Sequence, residues 1–266
     1  MTTDELQMRL AIFQCSAAGL TPAQRLRRLE AAVTEADADL LLCPELFMSG
    51  YAIAHDIQRF AEPADGWFAS EAACIAKDTC TALVYGYPER ADGYLYNAAH
   101  VIDAAGCCLA NHRKLAIPPG LEAGLFVNGE GVTFFETCGF RFAVLICYDA
   151  EFPEAVRFAA KAGAHVILVP TALKEQWRVV AEQVMPARAF ENGVYLLYAN
   201  HAGCEGAITY LGSSCIVGPD GKDMQRAGSA ETVVSATVQH RQVDMAQREL
   251  PYLDDVGAVG LRLAPR

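Results

Sequence analysis

The chain has 266 residues, 53% hydrophobic and 20% charged, which is enough to bury a sizeable core and too little charge for extended disorder. A net charge of −11 and no Lys/Arg run exclude binding along a nucleic-acid backbone. The longest apolar runs fall far short of the ~20 residues that a membrane-spanning helix needs.

In chain order, residues 8–14 (MRLAIFQ) predict a first strand, and Thr21-Pro22 open a helix to about Ala36, with Thr as N-cap and Pro in the first turn. Residues 40–43 (LLLC) predict a buried strand closed by Pro44, and a helix follows around 67–77. Residues 82–87 and 97–102 read as strands, 103–106 as a turn, and 108–111 as a hairpin return. Residues 114–131 carry two prolines and several glycines and form a long loop, a kind that is usually functional. A strand at 142–146 runs straight into Cys147, followed by a helix at 152–162, a strand at 165–169, a long helix at 175–191 and a strand at 195–199. Residues 214–217 and 233–236 complete the strands, and the chain from about 239 reads as a tail without periodicity. This alternation predicts an α/β fold with helices on the outside.

Ten cysteines are present without any CxxC pair, in a long, core-rich chain. Reduced thiols are expected, not disulfides or a zinc site. Cys15, Cys43 and Cys74 lie in apolar runs and are expected to behave as small hydrophobes. The start, Met1-Thr2-Thr3-Asp4-Glu5, does not read as a secretory leader, so a cytoplasmic location is expected.

Three stretches can carry chemistry. Glu45 follows a buried strand, which places it at the carboxyl edge of a sheet, where α/β proteins build their sites; a solvated acid opening a loop is an equal reading. Lys114 follows a probable strand and opens the long loop, although a lysine seen alone is more often a surface residue. The strongest stretch is Leu145-Ile146-Cys147-Tyr148-Asp149-Ala150-Glu151-Phe152-Pro153-Glu154. An apolar strand ends there on a cysteine and a helix starts a few residues later, a geometry that exposes the side chain and favours a thiolate. Glu154 and Arg157, three apart, suggest a pair with each other or across an interface. No GxSxG, GxGxxG or HExxH is present, and His112 reads as structural.

These stretches, CPELFMSGY, HRK and ICYDAEFPE, resemble the Glu, Lys and Cys motifs of the carbon–nitrogen hydrolase (nitrilase) superfamily. VYGYPER, GAHVILVPTA, ARAFEN, YANHAGCE and GSSCIVGPDG extend the resemblance along nearly the whole chain. The resemblance implies a four-layer αββα sandwich, one domain over 1–266, and a homodimer or higher homo-oligomer formed through outer helices, with about 240–266 an extension at that interface. It implies a catalytic triad of Glu45, Lys114 and Cys147. Glu122 is the candidate for a second glutamate, in a loop (LAIPPGLEAGLF) that departs from the sequence of close relatives. Tyr148 and Ala172 are expected at the substrate. Glu151 is either a partner for a substrate ammonium group or part of its own turn.

The implied activity is an amidase that converts a small linear amide to acid and ammonia through a cysteine thioester, with no cofactor and no metal. Short-chain aliphatic amides or 5-aminopentanamide are the nearest fit. A nitrilase or N-carbamoyl amine hydrolase would use the same triad, and a non-catalytic binding protein of the same fold is the reading from another class. Neither nucleic acid nor membrane is an expected partner.

Overall fold

The structure is a computed structural model that describes residues 6–16, 19–52 and 56–259. The N-terminal reading, on residues 1–5, and the end of the 240–266 extension, residues 260–266, therefore lie outside the described residues.

Two six-stranded sheets face each other. The first has the order β14-β1-β2-β3-β4-β5, built from β1 (Gln7–Gln14), β2 (Leu40–Leu42), β3 (Ala82–Ala91), β4 (Tyr94–Ile102), β5 (Cys108–Arg113) and β14 (Thr232–Gln239). The second has the order β13-β12-β9-β8-β7-β6, from β6 (Thr133–Thr137), β7 (Phe140–Val144), β8 (Val166–Pro170), β9 (Tyr195–Ala199), β12 (Cys215–Val217) and β13 (Asp223–Arg226). A small hairpin, β10 (Cys204–Glu205) with β11 (Ile208–Thr209), stands apart from both.

The layers follow from the two-residue period of a strand. Leu10, Ile12, Leu40, Leu42 and Val84 point inward and pack on Phe142, Val144, Leu168 and Leu197 of the other sheet. The alternate residues Ala11, Phe13, Leu41 and Leu83 pack outward on α1 (Pro22–Ala36) and α3 (Trp67–Thr79), which follows the short α2 (Ile57–Phe60). Ala143, Leu145, Ile167 and Leu196 do the same against α4 (Pro153–Lys161) and α5 (Met185–Phe190). The result is the αββα sandwich, with strands read as near-continuous apolar runs because both faces are covered. Helix α1 starts where its sequence says: Thr21 and Gln24 form a reciprocal capping box, with Pro22 in the first turn.

The structure corrects several expectations. Strands β3 and β4 are longer than their apolar cores and meet at Asp92-Gly93, where both residues have positive φ (52° and 82°); Asp-Gly fits a tight hairpin turn of this kind. The helix expected over 175–191 is present as an unbroken helical run over 175–190 that changes type, from a 3₁₀ turn (Glu175–Trp177) through a π-helical turn (Val180–Val184) into α5. Pro186 cannot donate to the preceding turn, and a π-turn is one way a helix absorbs that loss. The expected tail contains α6 (His240–Glu249), which buries Val243, and α7 (Tyr252–Asp255). All ten cysteines are free; Cys15, Cys43 and Cys215 are buried, but Cys74, Cys80, Cys107, Cys108, Cys138 and Cys204 are exposed. Glu154 and Arg157 do not pair with each other, and Arg157 Nη1 is buried without a hydrogen-bond partner among the described residues.

Candidate active site

Each of the three motif residues leaves a strand. Glu45 follows β2, Lys114 directly follows β5, and Cys147 lies three residues beyond β7. The segment carrying Glu45 rests on Gly86 of β3: a Cβ there would lie 2.3 Å from the Leu46 nitrogen and 2.7 Å from the Pro44 oxygen. Only glycine permits that approach. The Glu45 backbone is held further by His201, whose Nε2 is 2.7 Å from the Glu45 carbonyl oxygen. Burial, with the Arg25 charge, lowers the His201 pKa to about 3. The ring is therefore neutral with its proton on Nε2, because a carbonyl only accepts.

Lys114, Glu45 and Glu122 are all buried. Lys114 Nζ donates to Glu45 Oε1 at 2.7 Å and to Glu122 Oε1 at 2.6 Å. Asn97 Nδ2, on β4, donates to Glu45 Oε1 at 2.7 Å and to Glu122 Oε2 at 3.0 Å. The Tyr51 hydroxyl donates to Glu122 Oε1 at 2.9 Å. Glu122 is therefore saturated with donors, whereas Glu45 Oε2 is buried with no partner among the described residues. Burial above all pushes the Glu45 carboxyl up to about 7; the Glu122 charge adds to this, and Lys114 and Asn97 oppose it. For Lys114, burial works against the charge, but Glu45, Cys147 and Glu122 together outweigh it and hold the ammonium protonated.

Cys147 is half-buried and takes φ +48°, in the left-handed region that β-branched and most other residues avoid. It opens a 3₁₀ turn, Cys147–Glu151. Burial, then the Glu45 charge, raises its pKa; Lys114, the Thr171 hydroxyl and the Ala172 backbone N–H act the other way. Ala172, expected at the substrate, thus presents its N–H to the sulfur. Tyr148 is half-buried and packs edge-on against Phe152, with centroids 4.9 Å apart. Glu151 is half-buried, and burial raises its carboxyl pKa against the pull of Lys114 and Arg188; its carbonyl accepts from Arg188 Nη2 at 2.8 Å.

Asp149 is a residue that the sequence reading passed over. Its carboxylate accepts from the backbone N–H groups of Leu115, Ala116 and Ile146 at 2.8 to 3.2 Å. His112 Nε2 lies 3.6 Å away. One side chain thus ties the loop after Lys114 to the strand end before Cys147. Asp149→Asn leaves one acceptor oxygen for these donors and turns an N–H₂ toward some of them. A loss of roughly 2–4 kcal/mol is expected, measured by urea denaturation; an unchanged midpoint would overturn this anchoring role. Asn97, Tyr51 and His201 were also missed. For Asn97 the available signal was a polar side chain, one of two with His100, inside the otherwise apolar run of β4.

Residues 9–248 match the family profile described as carbon–nitrogen hydrolase. The chain belongs to the carbon–nitrogen hydrolase family. It is 43% identical to the protein called "Hydrolase in pqqF 5'region" of Pseudomonas protegens, over 93% of this chain and 88% of that one. It is 31% identical to an (R)-stereoselective amidase of a Pseudomonas species, over 86% of this chain and 84% of the relative. Among solved structures it is similar to a nitrilase-superfamily amidase of Nesterenkonia AN1, with TM-score 0.82 and 33% identity, covering 94% of this chain and 97% of that one. A cysteine-to-alanine variant of that amidase has been solved in complex with butyramide. This carbon–nitrogen hydrolase is thus an enzyme acting on amides, which sets aside the non-catalytic reading. Among its described residues no helix is long and apolar enough to cross a membrane.

Proposed function

We propose that this hydrolase cleaves short aliphatic amides through a thioester on Cys147, with Glu45 as proton carrier and Lys114 as the fixed positive charge. The observation that carries the reading is the asymmetry of Glu45: Oε1 is held by Lys114 and Asn97, and Oε2 is buried with no partner among the described residues. A carboxylate oxygen left that way is poised to take a proton.

With the thiol pKa raised and Glu45 at about 7, the resting state is a neutral thiol beside a carboxylate. The proton therefore moves to Glu45 as the sulfur–carbon bond forms, and does not leave beforehand. The carbonyl oxygen becomes an oxyanion, stabilised by Lys114 and the Tyr148 backbone N–H. Glu45 returns the proton to the nitrogen as the carbon–nitrogen bond breaks, releasing ammonia and leaving the thioester. Glu45 then takes a proton from water as its oxygen attacks; the tetrahedral species collapses to acid, and the expelled sulfur regains the proton. Glu122 orients the substrate amide and Glu45, and the Ala172 N–H borders the bound acyl group.

For the substrate class, charge decides. Lys114 is already shared by two carboxylates, and Arg188 is held by Glu191 and the Glu151 carbonyl. Neither of these two cations is left for a substrate carboxylate, whereas Glu151 has no hydrogen bond to its carboxylate among the described residues and can face an ammonium group. The butyramide bound by the Nesterenkonia relative supports a short neutral acyl chain. We therefore assign neutral and ω-amino aliphatic amides, 5-aminopentanamide among them. An ammonia-release screen tests this. Butyramide and 5-aminopentanamide are expected to exceed ω-carboxy amides, nitriles and N-carbamoyl amines by tenfold or more in kcat/KM, about 1.4 kcal/mol of discrimination. A preference for ω-carboxy amides or nitriles would overturn the assignment.

We further propose that residues 1–266 form one domain that dimerises through its outer helices and C-terminal segment. The exposed Phe158, Phe190, Leu250 and Tyr252 on and beside α4, α5 and α7 support this. The ten free thiols fit a reducing compartment such as the cytoplasm.

A further inference from the structure

The Tyr51 hydroxyl reaches Glu122 from a loop whose course is set from elsewhere. Glu205, on the small β10–β11 hairpin, accepts from the backbone N–H of Tyr51 at 3.1 Å and of Ala52 at 2.8 Å, and from the Tyr210 hydroxyl at 2.7 Å, all on Oε2. It is 8% exposed, deep for a carboxylate. Gly50 makes the approach possible. Its φ is +91°, and a Cβ there would lie 2.2 Å from Glu205 Oε1 and 3.2 Å from Arg25 Nη2.

The Tyr51 ring is packed on both sides. It contacts the cluster of Ala172, Ile208 and Tyr210 on one side and that of Leu46, Ile57, Leu95 and Phe126 on the other. Its hydroxyl therefore has little freedom once the loop backbone is fixed. Burial, with the charges of Glu45 and Glu122, also drives the phenol pKa far upward, so Tyr51 remains a donor.

We infer that Glu205 is a positioning residue: by gripping the amides of Tyr51 and Ala52 it aims the Tyr51 hydroxyl at Glu122, and so fixes the carboxylate that shares Lys114 and Asn97 with Glu45. The inference rests on the reading of Glu45, Lys114 and Cys147 as the reacting groups. It differs from a structural role in one respect: the effect of Glu205 must pass through a single oxygen, that of Tyr51.

The test is a double-mutant cycle with butyramide as substrate, using Glu205→Gln, Tyr51→Phe and the two combined. Each single variant is expected to lower kcat about tenfold or more, the worth of one hydrogen bond to a charged group, with KM within about threefold. The double variant is expected to match Tyr51→Phe alone. Multiplying effects, or wild-type kcat in Glu205→Gln, would overturn the inference. If Glu205→Gln does not fold, Tyr210→Phe removes one donor from Glu205 and serves in its place: kcat should fall with Tyr51 present and not in the Tyr51→Phe background. Cys147→Ala, measured alongside, reports on the nucleophile alone. Turnover there would overturn the reacting-group reading, while the cycle still decides Glu205.

Discussion

Cys147→Ala is expected to lower ammonia release by ~10³-fold or more while leaving the fold intact. Under the proposed mechanism alanine lacks the sulfur that bonds to carbon, and no neighbouring thiol is placed to replace it. Cys15, Cys43 and Cys215 are buried; burial pushes the thiols of Cys15 and Cys215 up to about 12 and that of Cys43 well above its ordinary value, and no lysine–carboxylate pair faces them among the described residues. Alanine carries a Cβ just as cysteine does, so at the φ of +48° seen for Cys147 the substitution adds no new backbone strain and thermal denaturation should change little. Intact-mass spectrometry of the wild-type protein during turnover gives a second readout, an acyl adduct that maps to Cys147. Activity retained within about tenfold of wild type, or an adduct on another cysteine, would move the nucleophile elsewhere.

The second large effect is expected at Lys114. Lys114→Met keeps much of the side chain's volume but removes the cation between two buried carboxylates. Activity should be lost with it, and stability should fall by roughly 3–5 kcal/mol because two buried charges are left uncompensated. The pH dependence has a definite sign. The Glu45 carboxyl already sits at about 7 against an ordinary 4.5, and losing Lys114 raises it further. A carboxyl raised by folding favours the folded state at low pH, and that contribution is lost as pH rises through the raised value. The destabilisation should therefore be larger at about pH 8 than at about pH 5.5, measured by urea denaturation at both. Equal losses at the two would show that Lys114 does not compensate Glu45. In the wild type, kcat/KM should fall on the acid side with an apparent pKa near 7, as Glu45 becomes protonated and can no longer accept the thiol proton.

Glu45 and Cys147 were legible because each stands after an apolar run, and a buried strand announces itself locally; Lys114 follows the mostly polar CLANHR and was singled out only by the resemblance of its motif. Helix α1 was legible for the same reason, since its cap, its proline and its apolar stripe lie within one short stretch. The partners that hold the site were not. Asn97, Asp149, His201 and Glu205 act on atoms far away along the chain, through contacts that exist only after the sheets have packed. Asp149 was quoted within its motif, yet its part in holding the Lys114 loop depends on Leu115 and Ala116. Helix α6 was missed because it is mostly polar and buries only Val243, so its apolar period is faint. The Asp92-Gly93 hairpin was a local signal that the apolar cores of β3 and β4 overshadowed.

The thiols of this enzyme are divided by depth. Cys74, Cys80, Cys107, Cys108, Cys138 and Cys204 face solvent, whereas Cys147 is half-buried with its pKa raised by burial and by Glu45. Peroxide and similar oxidants attack thiolates that they can reach. Under the mechanism proposed above, the reacting sulfur rests as a neutral thiol in a recess and becomes nucleophilic only as a substrate carbonyl arrives. On that mechanism the outer cysteines are expected to meet oxidative damage first, with lesions collecting on the surface before activity falls.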